Sequence, residues 1–96
     1  MKMGGWVYML ASKRNGTLYV GVTSDLRKRM DELTSHNVLG FTQKYSVDQL
    51  VWCEEHDPIE SAIWREKQLK KWNRAWKLEL IESNNPDWKN LIDDFL

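Results

Sequence analysis

Arg29 and Glu66 fall on helical stripes that otherwise carry apolar side chains, and two phenols, Tyr8 and Tyr19, fall on one face of a predicted β-hairpin. A charge in a core-facing stripe costs free energy unless it is paired, or holds a metal or a substrate. Successive helical residues turn by about 100°, so side chains three or four apart share a face. Glu66 lies between Ile63 and Leu69, with Ile59 and Ala62 completing its stripe, and Arg29 follows Leu26 by three positions. A structural ion pair between the two charges is one reading. A site is the other, and a guanidinium, a carboxylate and two phenols facing one sheet surface favour it.

The elements that must position these groups follow from local pattern. Trp6 to Ala11 and Thr17 to Val22 are rich in Val, Leu, Tyr and Trp, and the Asn15-Gly16 between them is a strong hairpin signal. In a two-residue turn Arg14 would face Thr17, so even positions before the turn share a face with odd ones after it. Tyr8, Leu10 and Ser12 then join Tyr19 and Gly21, while Val7, Met9, Leu18, Val20 and Val22 form a wholly apolar opposite face. A glycine inside a strand, as Gly21 is, often marks a close approach by a ligand or another chain segment.

Thr23, Ser24 and Asp25 offer an N-cap for a helix running to about His36, with Leu26, Met30 and Leu33 as its apolar stripe. Residues Asn37 to Ser46 lack periodicity and read as a loop, and Leu50 to Glu54 as a third strand. Asp57-Pro58 starts a helix through about Trp72, and a further helix covers Arg74 to Glu82. Asn85 with Pro86 reads as the cap of a short terminal helix that offers Trp88, Leu91, Ile92 and Phe95 to the core. The order β-β-α-β-α-α predicts an α+β domain, a small three-stranded antiparallel sheet flanked by helices.

Ninety-six residues suit one domain over 1–96. Fourteen basic and fourteen acidic side chains balance, so any nucleic-acid binding must come from local patches. The lone Cys53 excludes an internal disulfide and fits a reducing cytoplasm; beside Val51 and Trp52 it reads as an inert, packed thiol. Apolar stretches are only strand-sized, so neither a signal peptide nor a membrane span is expected. From Arg65 to Lys77 basic residues interleave with Trp72 and Trp76, next to Trp64. Lys67, Lys70, Lys71 and Arg74, with Lys44 and Tyr45 from the loop, are candidate contacts to a phosphate backbone and exposed bases. The same pattern also suits an ordinary solvated helix face with tryptophans packed on the sheet.

Val7-Tyr8-Met9 followed by Tyr19-Val20-Gly21 resembles the paired motif of the GIY-YIG nuclease superfamily. The likeness continues through Arg29, ten residues after Tyr19, and Glu66 within Ala62-Ile63-Trp64-Arg65-Glu66-Lys67-Gln68-Leu69-Lys70-Lys71-Trp72. Gly40-Phe41-Thr42, Lys44-Tyr45 and Asn85-Pro86-Asp87-Trp88 add to it, so it covers nearly the whole chain and is strongest toward the small single-domain bacterial members. The resemblance implies a metal-dependent endonuclease acting on nucleic acid, DNA before RNA, with repair or recombination as its setting. In its terms Glu66 holds Mg²⁺ or Mn²⁺, Arg29 clamps the phosphoryl oxygens, one tyrosine is the general base and the other orients the water. Gly21 and Asn85 support the site, although helix capping explains Asn85 equally well. The family commonly has a histidine four residues after Arg29, where this chain has Leu33; His36 is the candidate substitute, or a loop residue without a role. The departure keeps two other classes open. One is a nucleic-acid-binding module without catalysis, recruited by a protein partner that supplies targeting; the other is an adaptor whose tryptophans anchor a protein interface.

Overall fold

A computed structural model describes residues 4–34 and 46–95. His36, Lys44, Tyr45, the loop expected up to residue 45 and the side chain of Phe95 lie outside the described residues. Strands β1 (Gly5–Ala11), β2 (Leu18–Thr23) and β3 (Gln49–His56) form an antiparallel sheet in the order β2-β1-β3. Helices α1 (Leu26–Thr34), α2 (Ile59–Lys71) and α3 (Arg74–Asn84) follow in the expected order, and the chain closes with a 3-10 helix over Leu91–Phe95.

β1 is buried along almost its whole length because it is the central strand and both of its faces are covered. Val7, Met9, Val20 and Trp52 pack with Ala62 and Leu69 of α2, Ile81 of α3 and Trp88. Tyr8, Leu10 and Leu50, on the reverse face, pack with Leu26, Met30 and Leu33 of α1 and with Ile92. The alternation expected along the hairpin therefore holds, with one helical layer for each face.

The two-residue turn does not form. Ala11 pairs with Leu18, Leu10 with Tyr19 and Tyr8 with Gly21, two positions away from the register in which Arg14 would face Thr17. A shift of two leaves every side chain on its face, which is why the facial assignment survives the wrong turn. Ser12 is the cause: its amide donates to Thr17 O and its Oγ accepts from Thr17 N, both at 3.0 Å, which closes a wider loop. Asn15 takes the left-handed φ of 59° that this loop requires, and Arg74 Nη2 ties it down by donating to Asn15 O at 2.7 Å and Gly16 O at 2.6 Å.

β3 carries one extra residue against β1: Met9 faces Trp52 but Leu10 faces Leu50, so Val51 forms a bulge. Asn85 serves this irregularity. It ends α3 rather than starting the terminal helix, its amide donating to Ile81 O at 2.7 Å, and its side chain donates to Val51 O at 3.1 Å and Lys89 O at 2.9 Å while accepting from Lys89 N at 3.0 Å. Asn90 does the same for the neighbouring residue, its Oδ1 accepting from Leu50 N at 3.1 Å. Two asparagines thus satisfy backbone groups of an edge strand that would otherwise stand unpaired.

Cys53 faces the Tyr8 side of the sheet, where burial, with a smaller contribution from Asp94, raises its thiol from 9.0 to about 11. At pH 8 the thiolate is then about a hundredfold scarcer than that of a thiol at 9.0. Alkylation of the folded protein is expected to be slower than that of the urea-unfolded chain, by less than that factor where only the scarcer thiolate acts because a more basic thiolate is the better nucleophile, read by mass spectrometry over time.

Candidate active site

Tyr8 sits at the centre of β1 with its ring lying across Gly21 of β2. A Cβ added to Gly21 would stand 2.5 Å from both Tyr8 Cζ and Oη, so only glycine admits the phenol here. Tyr19 lies beside it, ring centroids 6.4 Å apart and planes tilted by 39°. α1 is capped by Asp25, whose Oδ1 accepts from Lys28 N at 3.1 Å, and its stripe of Leu26, Met30 and Leu33 seats it on this face. Arg29, at the edge of the stripe, then donates from Nη1 to Tyr8 Oη at 2.8 Å. Tyr8, Tyr19, Gly21 and Arg29 are therefore brought together.

Glu66 arrives from α2, which crosses β1 and β2 on the other side of the sheet. Its side chain is only 14% exposed, and its Oε2 lies 3.1 Å from Lys70 Nζ. Its charge still acts on the Tyr8 phenol. The ion pair between Arg29 and Glu66 that the stripes allowed is not formed: Arg29 Nε pairs with Glu32 Oε1 at 3.6 Å instead. Glu32 escaped the sequence reading, although its i,i+3 spacing from Arg29 was a usable signal.

Burial pushes Tyr8 above the usual phenol value of 10.0; the Arg29 charge and hydrogen bond oppose the rise, and Tyr19 and Glu66 add to it. A phenolate at Tyr8 needs a cation nearby, and Arg29 alone does not outweigh burial. Because the folded-state value lies above the unfolded one, the native chain holds the extra proton above pH 10. The associated stability is complete below about pH 10 and is lost as pH rises further. Tyr8→Phe is expected to flatten the alkaline arm of the stability curve and to remove an increment in absorbance near 295 nm that rises above pH 10, measured by spectrophotometric titration.

The remaining candidates divide. Leu33 is buried among Leu26 and Met30, so the position of the family histidine serves packing. His56 is no replacement, since it bonds Glu54 Oε1 at 2.6 Å on the Val7 side of the sheet. Asn85 spends its amide on Val51 and Lys89 and so is a fastening of the fold. Arg74 is engaged by the hairpin loop and Lys70 by Glu66, while Lys67 and Lys71 are exposed. Trp72 packs against the core with Arg65 5.3 Å above its ring, and Trp64 and Trp76 remain 64% and 55% exposed.

No group of three His, Cys, Asp or Glu side chains that could hold a metal occurs among the described residues. The described residues by themselves therefore build no zinc or calcium cage. One shielded carboxylate does fit Mg²⁺, which keeps most of its waters and takes one or two protein carboxylates.

Residues 4–79 match the GIY-YIG catalytic domain, and the chain belongs to the GIY-YIG family, whose domain is that of a nuclease acting on nucleic acid, generally with a divalent metal. Within it the chain is similar to the UPF0213 proteins. It shares 37% identity over 83 residues with one from Syntrophus aciditrophicus, covering 82% of this chain and 91% of that one. A second, from Staphylococcus saprophyticus, is 32% identical over 76 residues, 79% and 92% of the two chains. The solution NMR structure of a UPF0213 protein from Bacillus halodurans superposes with a TM-score of 0.58 at 25% identity, over 92% of this chain and 93% of that one. Among the described residues no helix is long and apolar enough to cross a membrane.

Proposed function

We propose that this chain, working as one domain over 1–96, is a metal-dependent endonuclease that hydrolyses phosphodiester bonds in cytoplasmic nucleic acid, DNA before RNA, in a repair or recombination setting. The observation that carries the reading is the 2.8 Å bond from Arg29 to Tyr8 Oη, made across a glycine and beside a second tyrosine. Arg29 presents a planar fork of donors suited to phosphoryl oxygens, and Tyr8 fixes its orientation. Tyr8 Oη accepts from Arg29, so its own proton is free to hold the attacking water or a phosphoryl oxygen in line. Burial keeps that proton on Tyr8. Orientation therefore falls to Tyr8, and the half-buried Tyr19 would accept the water's proton only as its phenolate, after its own proton has left to solvent. Glu66 would hold Mg²⁺ or Mn²⁺, whose charge stabilises the leaving oxygen. Lys67 and Lys71 add backbone contacts that weaken with salt.

A second reading, a nucleic-acid-binding module recruited by a protein partner, is favoured by Leu33, which removes the histidine relay. Cleavage of labelled single-stranded, duplex and branched DNA, and of RNA, separates the two, run with Mg²⁺ or Mn²⁺ on wild type and Arg29→Ala. Metal-dependent cutting lost in the variant supports the nuclease. Salt-sensitive binding without cutting under any condition sinks it in favour of the module.

A further inference from the structure

Each charged group of the candidate site already carries a counter-charge from its own helix. Arg29 Nε lies 3.6 Å from Glu32 Oε1, and Glu66 Oε2 lies 3.1 Å from Lys70 Nζ. The pairing copies the chemistry of the site's ligands: a carboxylate oxygen on the guanidinium takes the place of a phosphoryl oxygen, and an ammonium on the carboxylate takes the place of a divalent cation. We propose that Glu32 and Lys70 are resident stand-ins for phosphate and metal, which set how tightly the site holds each; this rests on reading Arg29 as phosphate clamp and Glu66 as metal ligand.

Exposure explains why the stand-ins leave and the site stays. The Lys70 side chain is 54% exposed, so its flexible stem can carry the ammonium into water, whereas Glu66 at 14% cannot follow. A shielded carboxylate needs a cation in both states, supplied by Lys70 at rest and by the metal when loaded. On the other helix Tyr8 holds Arg29 in place, while Glu32, at 42% exposed, is the partner that can turn away. Ion pairs with at least one partner in water are worth on the order of 1 kcal/mol, so displacement is easy but measurable. Each ligand arriving alone meets a neutralised partner, which lowers affinity for either by about fivefold.

The test uses the full chain and two direct binding readouts: free Mn²⁺ by electron paramagnetic resonance, and fluorescein-labelled duplex DNA by anisotropy in EDTA. Lys70→Met is expected to bind Mn²⁺ about fivefold tighter than wild type, and Lys70→Arg, which keeps the charge, to match it. Glu32→Gln is expected to bind the duplex about fivefold tighter, and to gain more than Asp31→Asn, which removes an exposed charge of the same sign from the same helix. Circular dichroism melts show whether each variant is folded. If Glu66→Gln abolishes Mn²⁺ binding but Lys70→Met leaves it unchanged, the cation stand-in is wrong and the metal site stands. If Glu66→Gln leaves Mn²⁺ binding intact, both fall together. Equal gains in Glu32→Gln and Asp31→Asn overturn the phosphate stand-in.

Discussion

Glu66→Gln is expected to lower metal-dependent cleavage by about three orders of magnitude, with the fold unchanged. The size follows from the ion's task, since a metal that stabilises transition-state charge contributes several kcal/mol, and each ~1.4 kcal/mol is tenfold in rate. The substitution keeps the shape of the side chain and removes its charge, so α2 keeps its apolar contacts through Ala62 and Leu69. Lys70 loses its counter-charge but is exposed enough to be hydrated. Thermal unfolding should therefore move little, which separates loss of chemistry from loss of structure. Single-turnover cleavage at saturating Mg²⁺ provides the rate. A variant that cuts within tenfold of wild type would show that Glu66 is not the metal carboxylate.

The second large effect is at Gly21. An alanine there places a methyl 2.5 Å from Tyr8 Cζ and Oη, far inside van der Waals contact, and the ring it meets is buried. Overpacking of this kind costs about 1–3 kcal/mol, more than the few tenths to 1 kcal/mol that alanine gains over glycine in a strand. The phenol must tilt, and its bond to Arg29 lengthens. Gly21→Ala should thus lower the urea midpoint and also cleavage. Because the clash involves Oη, Tyr8→Phe should relieve part of it, so the double variant should be less destabilised than the sum of the singles. Additive losses would place the strain elsewhere.

Much of the fold was legible because its signals are local. The heptad-like stripe Leu26, Met30, Leu33, the cap at Asp25 and the even-odd alternation of the hairpin all depend on neighbours a few residues away, while Pro58, expected in a first turn, stands one place earlier as the extended N-cap of α2. The pairing register was not, since Ser12 competes with Asn15-Gly16 for closure of the loop, and a side-chain bond to Thr17 decides it. Asn85 was legible as a cap but not which cap, because its partner Val51 is the extra residue of a bulge far away in sequence.

The site divides along the same line. The residue types and spacing of Tyr8, Tyr19, Arg29 and Glu66 determined by themselves which groups could act and which family they resemble. That Arg29 donates to Tyr8, that it pairs with Glu32 rather than Glu66, and that Glu66 stands on the helix covering the opposite sheet face were decided only by the tertiary structure. Periodicity places a side chain on a face of its own element, but distances between elements depend on how two helical layers pack against one twisted sheet. The direction of the Tyr8 shift follows from that packing, because burial of the phenol between α1 and β2 outweighs the cation beside it.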